Sequence, residues 1–131
     1  MTKEDKELLL KDLCARLPYK VEVHIKGEYK IPRTIYDVHM EDKTIGYFKG
    51  LNYNEEFIEN VKPYLRPMSS MNKEECMEWR EYMTDIEDSC YELVNERIAI
   101  MQDWLNTHHF DYRRLIEKGL ALEAPEDMYI F

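Results

Sequence analysis

Fifteen residues near the middle of this chain, Val61 to Glu75 (VKPYLRPMSSMNKEE), separate a stretch whose apolar residues mostly alternate from one in which they recur every three or four. A period of two belongs to strands and a period of 3.6 to helices, so the chain reads as an α+β protein with strands before the junction and helices after it. Within the junction, Pro63 and Pro67 hold Lys62 and Arg66 extended, because each ring clashes with a helical residue before it. Val61 and Leu65 then share one face, while Lys62, Tyr64 and Arg66 share the other. With no donor at either proline, the segment is expected to be an edge strand or a strand-like exit. Asn72 followed by Glu75 has the spacing of a capping box, and Met71 with Cys76 that of a hydrophobic staple, so a helix starts at Lys73.

Towards the N-terminus, Thr2 and Asp5 predict a cap, and Leu9, Leu10, Leu13, Cys14 and Leu17 form one apolar face of a helix that ends before Pro18. Val21, Val23 and Ile25 then alternate with Glu22, His24 and Lys26, as in a half-buried strand. A second extended run is expected from Tyr29 to Met40, with Tyr36, Val38 and Met40 inward, and a third from Thr44 to Lys49. With Val61 to Leu65 as a fourth strand, these predict a small antiparallel β-meander or an SH3-like barrel of three to four strands. Residues 51 to 60 suit a short helical turn as well as a strand.

After the junction, Cys76, Trp79, Met83, Ile86, Cys90, Leu93, Ile100 and Trp104 make a heptad-like stripe up to about Thr107, more deeply buried at its C-terminal end. Thr84 and Glu87 repeat the capping-box spacing, so one long helix and a helical hairpin both fit. Asp111 is expected to cap a last helix, Tyr112 to Lys118, closed by Gly119 with Leu120 against Leu115. The helical C-terminal half then ends in the apolar residues Met128, Tyr129, Ile130 and Phe131, expected to dock on the domain or on a partner.

A chain of 131 residues is one domain's worth, here a helix-plus-β half (1–70) and a helical half (71–131). No apolar run approaches the roughly 18 residues of a membrane span, and the charged start MTKEDKELLL differs from a secretory signal, which predicts a cytoplasmic protein. Cys14, Cys76 and Cys90 lack zinc-ligand pairing and fall on the predicted apolar stripes, as reduced, buried thiols would. The net charge of −9 is unevenly placed: residues 1–70 hold 12 acidic and 12 basic side chains, residues 71–131 hold 15 and 6. Phosphate neutralisation requires clustered Lys and Arg, so the helical half is unsuited to wrapping nucleic acid.

Three segments, LLLKDLCARLPYKVEV (8–23), VKPYLRPMSSMNKEE (61–75) and DWLNTHHFDYRRLIEKGLALEAPEDMY (103–129), together resemble a family of small uncharacterised proteins from gut Bacteroidetes and their phages and prophage-like elements. They cover somewhat under half of the chain. The resemblance implies a phage or mobile-element origin and transfers no catalytic residue. Lys20 and Arg114 stand where such relatives tend to have Gly, so any turn needing positive φ there is expected to relax.

Four sets of side chains are candidates for function. Glu74, Glu78, Glu81, Asp85, Asp88 and Glu92 form an acidic ridge opposite the apolar stripe, with charges roughly 5–6 Å apart on a continuous helix. Such a ridge suits a host or element protein with a basic surface, including a groove made for phosphates. Lys62, Tyr64 and Arg66, with Lys20, Lys26, Lys30 and Arg33, would suit an anion or nucleic acid, Tyr64 stacking on a base. Glu22, His24, Asp37 and His39 would bind a divalent metal or serve a hydrolase if strand register brought them together. His108 and His109 fit capping and packing at a helix junction better than metal binding, since adjacent residues point apart and no third ligand is well spaced. Without a phosphate loop or nucleophile motif, the expectation is a non-catalytic protein-interaction module with no catalytic residue, metal or cofactor. A nucleic-acid-binding barrel is the alternative and a metal-dependent hydrolase the third.

Overall fold

The structure, a computed structural model, describes residues 1–28 and 31–129; expectations involving Tyr29, Lys30, Ile130 and Phe131 fall outside them. Helix α1 (Lys3–Arg16) starts at the capping box of Thr2 and Asp5 and buries Leu9, Leu10 and Leu13. A one-turn 3-10 helix, Leu17–Tyr19, stops it at Pro18. Five strands follow: β1 (Glu22–Ile25), β2 (Arg33–His39), β3 (Thr44–Lys49), β4 (Asn52–Phe57) and β5 (Val61–Leu65). A sixth, β6 (Leu122–Glu123), comes from the C-terminal segment. Among the described residues the six form one open, mostly antiparallel sheet in the order β4-β3-β2-β1-β5-β6, in which β5 and β6 run parallel.

Alternation places Val21, Val23, Ile25, Ile35, Ile45, Tyr47, Val61 and Leu65 on the face that α1 covers with its leucines. Two inferences from proline and period are corrected. β5 is not an edge strand, since β1 pairs along Val61 to Pro63 and β6 along Tyr64 and Leu65. Lys26 N–H bonds to the Asn60 carbonyl, so the even residues of β5 serve β1, and Pro63, lacking a donor, faces the side where β6 has not yet begun. In β2 a bulge between Ile35 and Asp37 adds a residue, which turns Tyr36 outward to 62% exposure and sends Ile35 into the core instead. Met40 lies beyond the strand and is exposed.

Beyond the junction, α2 (Lys73–Glu87) opens on the capping box of Asn72 and Glu75 and α3 (Val94–Thr107) packs back on it, so the hairpin is the observed alternative. The break lies at residues 88–93, with Thr84 inside α2. A second core gathers Trp104, Leu105 and Phe110 with Met68, Met71, Trp79 and Tyr82. Helical structure ends at Thr107, and Tyr112 to Lys118 form turns instead of a last helix. Asp111 still acts as a cap: its carboxylate accepts from the amides of Leu115 and Ile116 at 2.8 and 3.0 Å. Gly119, at φ 74°, closes the segment through Leu120 N–H to the Leu115 carbonyl, a Schellman-type bond without the helix. Lys20 and Arg114 do not relax; both keep left-handed backbone, at φ 56° and 59°. Cys14 and Cys90 are exposed and Cys76 half-buried, contrary to the reading of all three as core residues.

Charge stitches these segments together. Arg16, fully buried, donates to Asp12 at 2.8 Å and to the Phe110 carbonyl at 2.6 Å, and Arg113 holds the other Asp12 oxygen at 2.6 Å. The tail docks through Tyr129, whose hydroxyl donates to the Tyr64 carbonyl and accepts from the Glu22 amide. His109 stacks on the Tyr129 ring with centroids 3.9 Å apart.

Removing the carboxylate in Asp12→Ala leaves Arg16 buried and uncompensated, so urea denaturation should show a loss of about 3–5 kcal/mol. Burial, and after it the charges of Arg16, Arg66 and His108, pull the His109 imidazole down to about 4. A folded-state value below the unfolded one near 6.5 means that the unfolded chain takes up the proton first. Stability is therefore whole above about pH 6.5 and declines towards about pH 4, by about 3 kcal/mol from this group. His109→Asn, which tolerates the left-handed backbone, should flatten that part of the stability profile.

Candidate functional site

α2 carries most of the acidic set. Glu74, Glu78, Glu81 and Asp85 lie on it and Asp88 is its C-cap, all exposed, whereas Glu92 sits in the turn that follows. The ridge borders the packed face more closely than its spacing suggests. Glu78 accepts a hydrogen bond from the Trp104 indole at 2.7 Å, and Asp85 lies 3.8 Å from Arg97 of α3. Glu74, Glu81 and Asp88 form the outward line. Apolar side chains stand exposed on the same hairpin: Met77, Met83, Tyr91, Leu93 and Ile100. Met77 is three residues from Glu74 and four from Glu81, so acid and thioether share one strip of the helix surface. Ile100, with Tyr82, Asp85 and Arg97, lines a small groove between the helices.

The basic row is divided. Lys62 and Tyr64 sit half-buried on the outward face of β5, but Arg66 is committed inside. Its guanidinium grips Glu75 through two bonds, 2.8 and 2.7 Å, and lies 4.3 Å above the Phe110 ring. Burial alone would raise the Glu75 carboxyl; Arg66 and the Asn72 amide outweigh it and hold the group below its usual range. Arg66 thereby ties β5 to the start of α2.

Register also separates Glu22, His24, Asp37 and His39. Glu22 stands opposite Thr34 and His24 opposite Lys62, while Asp37 and His39 face Gly46 and Thr44 of β3. Among the described residues, no group of three or more His, Cys, Asp or Glu is placed to hold a metal ion. The two histidines after α3 serve packing. His108 is its C-cap, donates from Nδ1 to the Trp104 carbonyl at 2.9 Å and lies tilted against that indole, with ring centroids 4.7 Å apart.

Asp37 and His39 instead meet two residues of β4 that sequence reasoning passed over. Tyr53 donates to Asp37 at 2.8 Å; His39 Nε2 lies 2.9 Å from the same hydroxyl and 3.2 Å from both Asp37 and Glu55. Desolvation, and then the hydrogen bond to Asp37, push the Tyr53 phenol above its ordinary value, so it stays a donor at neutral pH. Beside this cluster Tyr36, Phe48 and Tyr53 meet edge to face, with centroids 4.9 to 6.3 Å apart. The signal was present in the alternation of Tyr53, Glu55 and Phe57, in a stretch where helix and strand both fitted.

Gly46 underlies the cluster. A Cβ there would clash with the Asp37 carboxylate and the Tyr53 hydroxyl, so the cross-strand bond depends on a missing side chain. Gly46→Ala should destabilise the fold by about 1–3 kcal/mol in urea titrations and bring the Tyr53 phenol back towards its ordinary value in ultraviolet titration. Comparisons with protein-family models, with curated proteins and with solved structures returned no match for this chain.

Proposed function

We propose that this chain is a non-catalytic protein-interaction module, an accessory protein of a phage or mobile element acting in the host cytoplasm. Its partner is a host or element protein with a basic surface. The observation that carries this reading is the coexistence, on the α2–α3 hairpin, of outward carboxylates and large exposed apolar side chains. A ridge that serves only solvation needs the first and not the second. Apolar contacts supply affinity and carboxylates supply orientation and rate, which is the usual division of labour in a charged interface. The net charge of residues 71–131 gives the hairpin the sign that a basic partner requires. Among the described residues no helix is long and apolar enough to cross a membrane.

An SH3-like reading of the β half is supported by the order β4-β3-β2-β1-β5 and by the 3-10 turn Ile58–Asn60 between β4 and β5, both features of that topology. A nucleic-acid role through Lys62, Tyr64 and Arg66 has less behind it, because Arg66 is engaged with Glu75.

Glu74→Gln/Glu81→Gln/Asp88→Asn removes outward charge and leaves the Trp104 and Arg97 contacts in place. Captured on the wild-type chain at low salt, the partner should be a basic protein released by salt, and the triple variant should hold it about tenfold more weakly with a flatter salt dependence. Equal affinity and equal salt dependence for wild type and variant would remove the ridge from the account.

A further inference from the structure

We propose that the open edge of β4 is a strand-addition site for an extended, arginine- or lysine-bearing segment of a partner protein. Independently of the helical hairpin, the edge itself points to this occupant. β4 ends the sheet, and all six of its residues pair with β3 on one side. Among the described residues no backbone hydrogen bond joins residues 52–57 to any segment but β3. The turn Gly50–Leu51, with Gly50 at φ 64°, closes on the pair Lys49 and Asn52. Such a closing pair is hydrogen-bonded, so Asn52, Asn54 and Glu56 bond to β3 while Tyr53, Glu55 and Phe57 direct their amides and carbonyls to the open side. Phe57 N–H bonds instead to the Glu56 carboxylate at 3.1 Å, as expected of an amide that β3 does not use.

Edge strands of soluble proteins are usually blunted by proline, lysine or an inward charge. β4 has no proline or lysine; its charge on the inner face, Glu56 opposite Ile45, guards the edge against an acidic or apolar strand and not against a basic one, and Tyr53 and Phe57 on the outer face are 41% and 59% exposed. Side chains of a strand laid alongside alternate in the same way, so every second one would rest on the face holding Tyr53, Glu55 and Phe57. The acceptor there is the Glu55 carboxylate, with Asp37, two strands further in on β2, adding its negative charge behind it, and the aromatic rings supply faces for a guanidinium or ammonium. A cationic side chain satisfies both. A second copy of this chain does not: pairing β4 with β4 would bring Glu55 and Glu56 of each copy against those of the other. Strand addition is a main-chain recognition mode, with affinity from the ladder and specificity from alternate side chains.

The test uses the full-length chain and short synthetic peptides alternating arginine with threonine or glutamate with threonine. The arginine peptide should bind at least about tenfold more tightly than the glutamate peptide and slow hydrogen exchange at the Tyr53 and Glu55 amides. Methylating the peptide amides that face the chain should abolish binding, and Glu55→Arg should invert the preference. The Glu74→Gln/Glu81→Gln/Asp88→Asn variant should bind the peptide as wild type does, which separates failure here from failure of the hairpin reading. Binding indifferent to peptide charge or to methylation, protection mapped to α2, or a concentration-dependent dimer lost on Glu55→Arg would each overturn the proposal. The peptide comparisons decide even if Glu55→Arg does not fold.

Discussion

Arg16 is the largest fully buried side chain among the described residues, and the fold is arranged so that its charge is held. Asp12, one turn back on α1, is equally buried, and its second oxygen is taken by Arg113, while the Phe110 carbonyl accepts from the other side of the guanidinium. Neither charge tolerates burial alone; Asp12 and the carbonyl compensate Arg16 through Nε and Nη2, leaving Nη1 without a hydrogen-bond partner among the described residues, and α1 is thereby fixed against residues 110–113. A second pair, Arg66 with Glu75, fixes the exit of β5 to the first turn of α2 and stacks on Phe110. Phe110 therefore sits where both networks meet. Its carbonyl accepts from one guanidinium and its ring lies beneath the other.

The two networks divide the molecule into what is held and what is left out. α1, β1, β5 and the segment from His109 to Ala121 enclose buried side chains from both halves of the chain. In α2 only Glu75 is buried, and in α3 only Trp104, Leu105 and Asn106, all near the end that meets the body. The distal part of the hairpin is thus a projection, acidic and partly apolar. At the far edge of the sheet, β4 pairs through its backbone with β3 on one side, and its side chains reach across to β2. Both surfaces proposed here to meet partners lie where the core does not reach, and both carry negative charge.

Legibility in the sequence followed the range of the interaction. The caps of α1 and α2, the end of α1 at Pro18 and the alternation of β1 are decided by residues within a few positions, and each stood where expected. The bulge at Tyr36 could not be read, because one inserted residue inverts the faces of a strand without altering its composition. The position of β5 escaped for a different reason: its neighbour β6 is two residues long and arrives from far along the chain, so proline chemistry was the only local cue. Tyr112 to Lys118 carry a helix-like cap and a Schellman ending, yet Arg113 is drawn to Asp12 and the segment closes as turns. Of the candidate sets, the acidic residues are exposed along α2 as their spacing leads one to expect, whereas the contacts of Glu78 and Asp85 with α3 are not legible in that spacing. The cluster of Asp37, His39, Tyr53 and Glu55 depends on register and on Gly46, neither of which a linear reading supplies.

Native-state hydrogen exchange across the whole chain tests most directly whether the paired charges define a rigid body with two accessible margins. The slowest amides should be those of α1, β1, β5 and Phe110 to Ile116, opening only with global unfolding, while α2 beyond Trp79, the first half of α3 and the open edge of β4 exchange by local opening at lower free energy. Amides of the distal hairpin and of β4 as slow as those of β1 and β5 would contradict that division, and with it the assignment of both surfaces to partners.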